Sequence, residues 1–170
     1  TRSIAVTGVQ TCALPISNEN NSHLYKYFFH THPPTPKVGG RVLYGILYEF
    51  PSINDIFHFI ENYNNGNSIG SIIIAPEGFY MIKPRDYKEK IIEPSEKKLE
   101  KEINSIQNEQ IKKYGTNFNE LMFYSVITQD YYAINKLNAF LKSYNIYILY
   151  KSRILRNKNW ILADIFLPLF

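Results

Sequence analysis

The centre of the chain carries an apolar hairpin, and this feature constrains the fold more than any other. Residues 71–75 (SIIIA) form a short apolar run that is typical of a buried strand. Pro76, Glu77 and Gly78 follow and predict a turn, after which residues 79–82 return as the partner strand. The pattern therefore predicts that a β-sheet forms the middle of the fold.

The segments on either side of the hairpin show both strand and helix patterns. Ser52 is a suitable N-cap, and apolar residues recur at helical spacing from Ile56 to Tyr63. The remaining predicted elements are strands at 24–32, 121–128, 146–150 and 160–167, and helices at 94–114 and 131–144. These elements predict an α/β domain, in which a mixed β-sheet packs with helices. We expect its first elements to be missing, because we interpret the N-terminus as truncated.

That interpretation rests on residues 1–17. The segment 6–16, VTGVQTCALPI, matches the translation of a common short-read sequencing adapter, so we expect residues 1–17 to be non-native. A signal peptide is the alternative, but polar residues interrupt its apolar run. Cys12, the only cysteine, lies inside this segment. We therefore expect no disulfide, thiolate metal site or cysteine nucleophile in the native part of the chain.

The composition favours a folded intracellular protein. Hydrophobic residues make up 45% and aromatic residues 15% of the chain, as in a globular domain. The net charge of +4 comes from basic residues interleaved with acids, so we do not expect nucleic acid as a partner. No apolar run approaches the ~20 residues of a membrane helix, and nothing marks the chain for secretion. We expect a cytoplasmic location. The many residues with AT-rich codons are compatible with the host cell of a large DNA virus, and with many microbes.

Two histidines offer a metal site. Side chains alternate across a strand, so His30 and His32 point to the same face, with Thr31 opposite. Two imidazoles at a strand end can share a metal, but a zinc hydrolase needs a third ligand and leaves the fourth position to water. Asp55, in the first turn of the next predicted helix, is the natural third ligand, and Ser52 lies on nearly the same helix face.

The order His-x-His-Pro, Pro-Ser-x-x-Asp, helix and apolar hairpin resembles the JAB/MPN domain family of JAMM metalloproteases, which includes deubiquitinating isopeptidases. The similar stretch runs over 24–82. The resemblance implies an MPN/JAB-like fold, a cytidine-deaminase-like sandwich, as a single domain over 18–170. Residues from about 95 to 170 would form a C-terminal α/β extension of that domain.

The resemblance also implies a role for each site residue. His30, His32 and Asp55 would be the ligands of Zn²⁺, and Ser52 would be catalytic, orienting the scissile carbonyl and stabilising the oxyanion. The implied partners are ubiquitin or ubiquitin-like conjugates, whose amide bonds would be hydrolysed by metal-activated water. A larger protein assembly is also implied.

The chain departs from the family pattern in two ways. The family places a catalytic glutamate on a strand upstream of His-x-His, and only Glu19, in a polar run, precedes His30 after residue 17. We expect the authentic glutamate to lie in the replaced portion and turnover to be poor without it. Glu49 and Glu61 are the other nearby carboxylates, and Glu61 is too far along the helix. The connection from His32 to Asp55 is longer than in the family, and we hypothesise that residues 37–50 form a substrate-facing flap.

Three alternatives remain open from the sequence. Ser52 and Asp55 can be read as a capping box alone. The whole chain can be read as a catalytically inactive MPN-like scaffold, which would have no need of zinc. The basic balance and the aromatics also allow a nucleic-acid-binding module, for which steeply salt-dependent binding would be required.

Overall fold

A mixed β-sheet of five strands forms the framework of the protein. The computed structural model describes residues 27–32, 39–157 and 159–162. The strands lie side by side in chain order, with β1 parallel to β2 and all other neighbours antiparallel. They are β1 (Tyr27–Thr31), β2 (Gly70–Ala75), β3 (Gly78–Pro84), β4 (Ile146–Arg156) and β5 (Asn159–Leu162).

Helices connect and cover these strands. A single-turn 3₁₀ helix at Val42–Tyr44 precedes α1, and α1 is the crossover between the parallel strands β1 and β2. Three further α-helices lie between β3 and β4. The α-helices are α1 (Ile53–Asn64), α2 (Glu96–Tyr114), α3 (Glu120–Met122) and α4 (Tyr132–Leu141). The mixed α/β architecture predicted from the sequence is confirmed.

One face of the sheet is the buried one, and it carries both histidines. His30 is in register with Ile73 on β2, which pairs with Tyr80 on β3. Ile73 and Tyr80 are buried, as are the helix residues Phe59 and Leu99 in the same core. The alternate strand residues point the other way and are half-buried. The pleat therefore turns the His-x-His pair toward the helices.

The hairpin and the main helices occur where the sequence predicts them, within a few residues at the ends. The strand predicted at 121–128 is wrong. Asn119 accepts a hydrogen bond from the Met122 N–H at 2.8 Å and caps α3, which continues into a π-helical stretch at Phe123–Ile127. Its buried residues lie at helical and not at alternating spacing. The predictions for residues 1–26, 33–38 and 163–167 lie outside the described residues.

Candidate metal centre

Three side chains from two elements converge at one end of the buried sheet face. His30 Nε2 lies 3.0 Å from Asp55 Oδ1, and His32 Nε2 lies 3.1 Å from Asp55 Oδ2. One ligand atom from each residue falls within 4.8 Å of the others. The structure thus brings together the three residues that the sequence suggested as ligands, although His30 and Asp55 are more than twenty positions apart in the chain.

Strand pairing and a helix cap fix this geometry. The His32 N–H donates to the Ile74 carbonyl at 2.8 Å, which holds the end of β1 against β2. At the start of α1, the Asp55 N–H donates to Ser52 Oγ at 3.1 Å and the Ser52 N–H donates to Asp55 Oδ2 at 2.7 Å. This is a complete capping box. The capping and ligand readings of Asp55 are therefore compatible, because the cap holds its carboxylate beside the histidines.

The ionised Asp55 carboxylate and the protonated His32 ring stabilise each other electrostatically. Burial opposes ionisation of Asp55, but the close contacts with His30, His32 and Ser52 outweigh it and hold the pKa of the carboxyl well below its ordinary range. Burial likewise lowers the pKa of His32, but the hydrogen bond and the charge of Asp55 dominate and raise it above 6.5. Asp55 is consequently an anion at neutral pH and attracts a cation.

A backbone carbonyl selects the ring nitrogen of His32 that faces the centre. His32 Nδ1 lies 3.1 Å from the Glu49 carbonyl oxygen. A carbonyl can only accept, so Nδ1 carries the hydrogen and the Nε2 lone pair of the neutral ring is free to bind a metal. Metal-binding histidines usually have such a partner on the second nitrogen.

The residues present fit a zinc ion. His30 Nε2 is buried and makes no hydrogen bond among the described residues, although the Asp55 carboxylate lies within 3.0 Å. A buried polar atom without a hydrogen bond is costly unless something else binds it. Two imidazole nitrogens and one carboxylate oxygen are a donor set of catalytic zinc sites, with a fourth position left open.

A cleft of about 630 Å³ opens beside the centre and includes His32 and Ser52 in its wall. Its other walls come from the connection before α1 and from α2. Arg41 makes a two-pronged ion pair with the Glu49 carboxylate, with Nε 2.8 Å from Oε1. The Ser52 side chain is exposed at this wall, and its oxygen accepts from the Asp55 N–H, which leaves the hydroxyl proton free for a bound molecule.

The connection before α1 is built into the fold. Gln107 of α2 accepts hydrogen bonds from the N–H groups of Leu47 and Tyr48, each at 3.0 Å, and donates to the Tyr48 carbonyl at 2.7 Å. Both of these connection residues are buried, whereas Leu43 and Tyr44 are 79% and 82% exposed. In the described part of the predicted flap, 39–50, the exposed tip is therefore the 3₁₀ turn around Leu43 and Tyr44. These three hydrogen bonds of Gln107 form a clamp on the connection. No pattern in the sequence indicated this role, because Gln107 is one polar residue in a charged helix.

The sequence also gave no functional signal for Glu77. Its side chain is completely buried at the turn between β2 and β3. Strand alternation does not predict this burial, because β2 ends at Ala75 and Glu77 lies in the turn that follows. By contrast, Glu61 is exposed on α1, and Glu19 lies outside the described residues.

The comparisons with known proteins give a relative but no function. No family model and no solved structure matches the chain. An uncharacterized protein of Acanthamoeba polyphaga mimivirus, R413, is 36% identical over 148 residues, which cover 84% of this chain and 42% of the relative. The chain thus spans less than half the length of this viral relative. Among the residues that the structure describes, no helix combines the length and the apolar character needed to cross a membrane.

Proposed function

We propose that this chain is a JAMM-type zinc metallopeptidase that hydrolyses the amide bonds of ubiquitin or ubiquitin-like conjugates. One observation carries the proposal: His30, His32 and Asp55 each present a ligand atom within 4.8 Å of the others, at the edge of a cleft. An MPN-like fold is part of the proposal and is supported by the parallel β1–α1–β2 unit followed by the β2–β3 hairpin.

In this proposal His30, His32 and Asp55 hold the ion, and the Glu49 carbonyl orients His32. When bound, Zn²⁺ lowers the pKa of a coordinated water from 15.7 to about 7 and polarises the carbonyl under attack. Ser52 donates its hydroxyl proton to the carbonyl oxygen as negative charge develops there. A donor in that position contributes on the order of 3 kcal/mol to catalysis.

The cleft is the proposed binding place of the chain that carries the scissile bond. Its wall combines apolar side chains, such as Ile46 and Ile103, with the polar groups of Asn104 and Gln107. A lining of this kind suits an extended peptide, which needs apolar contacts and hydrogen-bond partners for its backbone. The viral relative supports a place of action inside an infected cell.

Metal analysis of purified wild-type protein and three variants tests the proposal. Wild-type protein is expected to bind one zinc ion and to cleave an isopeptide-linked ubiquitin dimer. Asp55→Asn keeps the cap acceptor but loses the charge, so zinc affinity should fall by about 100-fold or more. Ser52→Ala should retain zinc, lose about 1 kcal/mol of stability with its cap and lose activity by about 100-fold.

His58→Ala is the matched control, because His58 is an exposed imidazole on the same helix that does not reach the three ligands. It should change neither zinc content nor cleavage. Wild-type protein without zinc would refute the metallopeptidase proposal and favour a scaffold. Zinc binding without cleavage of any ubiquitin or ubiquitin-like conjugate would refute the proposed substrate class.

A further inference from the structure

A second cleft lies at the end of β3, away from the candidate metal centre. β3 begins at Gly78, opposite Ala75 at the metal-centre end of the sheet, and it ends at Pro84. The cleft opens at this far end and has a volume of about 340 Å³. We call it the β3-end cleft, and its lining residues are Lys83, Pro84, Arg85, Tyr87 and Tyr147.

The loop that follows β3 is held in place by hydrogen bonds of its own. The Asn145 side chain accepts the Asp86 N–H at 2.8 Å and donates to the Asp86 and Glu89 carbonyls at 2.9 and 3.2 Å. From α1, the Tyr63 hydroxyl donates to the Tyr87 carbonyl at 3.0 Å. The loop is therefore fixed without a ligand, and a ligand that binds a fixed wall loses less entropy than one that must order a mobile loop.

Both cations of the β3-end cleft lie near an aromatic ring. Lys83 Nζ is 5.5 Å from the centroid of the Tyr87 ring, and Arg85 Cζ is 5.7 Å from the centroid of the Tyr147 ring. Lys83 and Tyr147 are also direct partners across β3 and β4, so their side chains are neighbours on one face of the sheet. The two pairs of cation and ring are thus side by side.

The wall of this cleft carries positive charge. The lining residues include Lys83 and Arg85, and none of the five is acidic. Lys83 makes no ion pair within the part of the chain that the structure describes. Asp86 follows Arg85 directly but does not line the cleft, and its Oδ1 accepts the Lys88 N–H at 2.8 Å. The β3-end cleft therefore attracts an anion.

From this arrangement we propose that the β3-end cleft binds a nucleoside phosphate. Lys83 and Arg85 bind the phosphate, and the base stacks on the ring of Tyr87, which is 50% exposed. Cationic side chains bind phosphate, and an aromatic ring stacks on any base because every base has a π face. The inference goes beyond the proposed function and does not depend on it.

The size of the cleft sets the size of the ligand. Its 340 Å³ are near the lower limit of ligand pockets, which measure roughly 300 to 1,000 Å³. A cleft of this size holds one nucleotide, either free or at the end of a strand, and needs no basic surface beyond its own wall. The interleaved charges of the rest of the chain are therefore compatible with this site.

Calorimetry with adenosine monophosphate (AMP) tests the inference. The wild-type chain should bind one AMP with a Kd below about 1 mM, and adenosine and inorganic phosphate should each bind at least about tenfold more weakly, because each makes only part of the contacts. Lys83→Gln should weaken AMP binding about fivefold or more, and Lys83→Arg should restore most of it. Tyr87→Leu should weaken it about tenfold, because the stacking ring is lost.

Two matched controls separate the cleft from general surface effects. Lys88→Gln removes an exposed lysine of the same loop that does not line the cleft. Tyr132→Leu removes a tyrosine that is also 50% exposed and has Lys136 Nζ 5.9 Å from its ring centroid, but that lies outside the cleft. Each should change AMP affinity by less than about twofold, since exposed charges at a distance are screened. Asp55→Asn should also leave it unchanged.

The outcomes decide between a nucleotide site and the alternatives. Unchanged AMP affinity in both Lys83→Gln and Tyr87→Leu would overturn the inference, as would no binding at about 5 mM AMP. Loss of binding in Asp55→Asn would place the nucleotide at the metal centre and overturn it as well. Inorganic phosphate that binds as tightly as AMP would indicate a plain anion site, which contradicts stacking on Tyr87.

A 5′-phosphorylated pentaadenylate identifies the source of the nucleotide. Competition with AMP would support the end of a strand as the ligand, and a lack of competition would support a free nucleotide. Lys83→Gln and Tyr87→Leu should retain the zinc content of the wild type, because neither residue is near the three candidate ligands. Failure of the nucleotide site would therefore leave the proposed function intact, and the reverse also holds.

Discussion

At the scale of single residues, Asp55 would link folding to the proposed metal binding. Its carboxylate caps α1 through the Ser52 N–H and also contacts both histidines. In the metal-free protein these contacts favour a protonated His32, but a metal ligand must be a neutral imidazole. The proton on His32 and the proposed zinc ion would therefore compete for the same carboxylate.

This competition predicts opposite pH dependences with and without zinc. The pKa of His32 is raised above 6.5 in the folded protein, so its stabilising contribution is full below pH 6.5 and is lost as the pH rises through the raised value. The pKa of Asp55 is lowered from 3.8, so its contribution is present above pH 3.8 and is lost on acidification through the lowered value. The metal-free pair is thus most stabilising between these two limits.

Thermal unfolding between about pH 6 and 8 measures this effect. The stability difference between metal-free wild-type protein and Asp55→Asn should shrink as the pH rises, because the pair with His32 is lost. With excess zinc the difference should grow over the same interval, and calorimetry in two buffers should show proton release on binding. A metal-free difference that does not change with pH would contradict the coupling between His32 and Asp55.

At the scale of secondary-structure elements, α2 supports the metal centre from a distance. Gln107 makes three hydrogen bonds to the backbone of Leu47 and Tyr48, which lead directly to Glu49 and its carbonyl contact with His32. The helix thus helps to position the Glu49 carbonyl, the partner of the candidate ligand His32, and loss of the Gln107 hydrogen bonds should alter the candidate metal centre.

Replacing Gln107 by Leu is expected to lower the free energy of unfolding by roughly 3 kcal/mol or more, because it leaves three buried backbone groups unpaired. Zinc affinity should fall as well, since His32 loses its fixed orientation. Gln110→Leu is the matched control, because Gln110 is also buried on α2 but its side chain makes, among the described residues, one long hydrogen bond of 3.4 Å, accepted from the Tyr48 hydroxyl. Equal losses of zinc affinity in both variants would contradict the clamp.

Local signals in the sequence predicted the elements that position the centre. Neighbouring residues determine the cap at Ser52, the periodic apolar face of α1 and the hairpin at 71–82. The sequence was therefore sufficient to predict them. The segment 121–128 was misassigned because a short apolar run can form either a strand or a helix. Gln107 could not be assigned a role, because its partners Leu47 and Tyr48 are distant in the chain and only the folded structure brings them together.

At the scale of the whole molecule, the segment from Gly39 to Phe50 joins the metal centre to the rest of the core. Val42 and Phe50 are buried with the residues of α2 and β3 in one cluster. Deletion of residues 38–48 would remove most of the segment that the sequence analysis predicts to be a substrate-facing flap. Because the segment carries both core residues and the approach to Glu49, we now expect that deletion to disturb zinc binding, which leaves its exposed tip as the part to test for substrate contact.

The tip is tested by the double substitution Leu43→Ser and Tyr44→Ser. Both side chains are largely exposed at the 3₁₀ turn, so stability should change by less than about 0.5 kcal/mol and zinc content should not change. Exposed large apolar residues near a cleft are suited to hold a protein partner, and losing them should raise KM for a ubiquitin conjugate about fivefold or more, with kcat retained. Ile92→Ser, an exposed apolar residue outside the connection before α1, should leave KM unchanged. An unchanged KM in the double variant would show that substrate binds elsewhere, whereas an equal rise in Ile92→Ser would indicate a general effect of surface hydrophobicity.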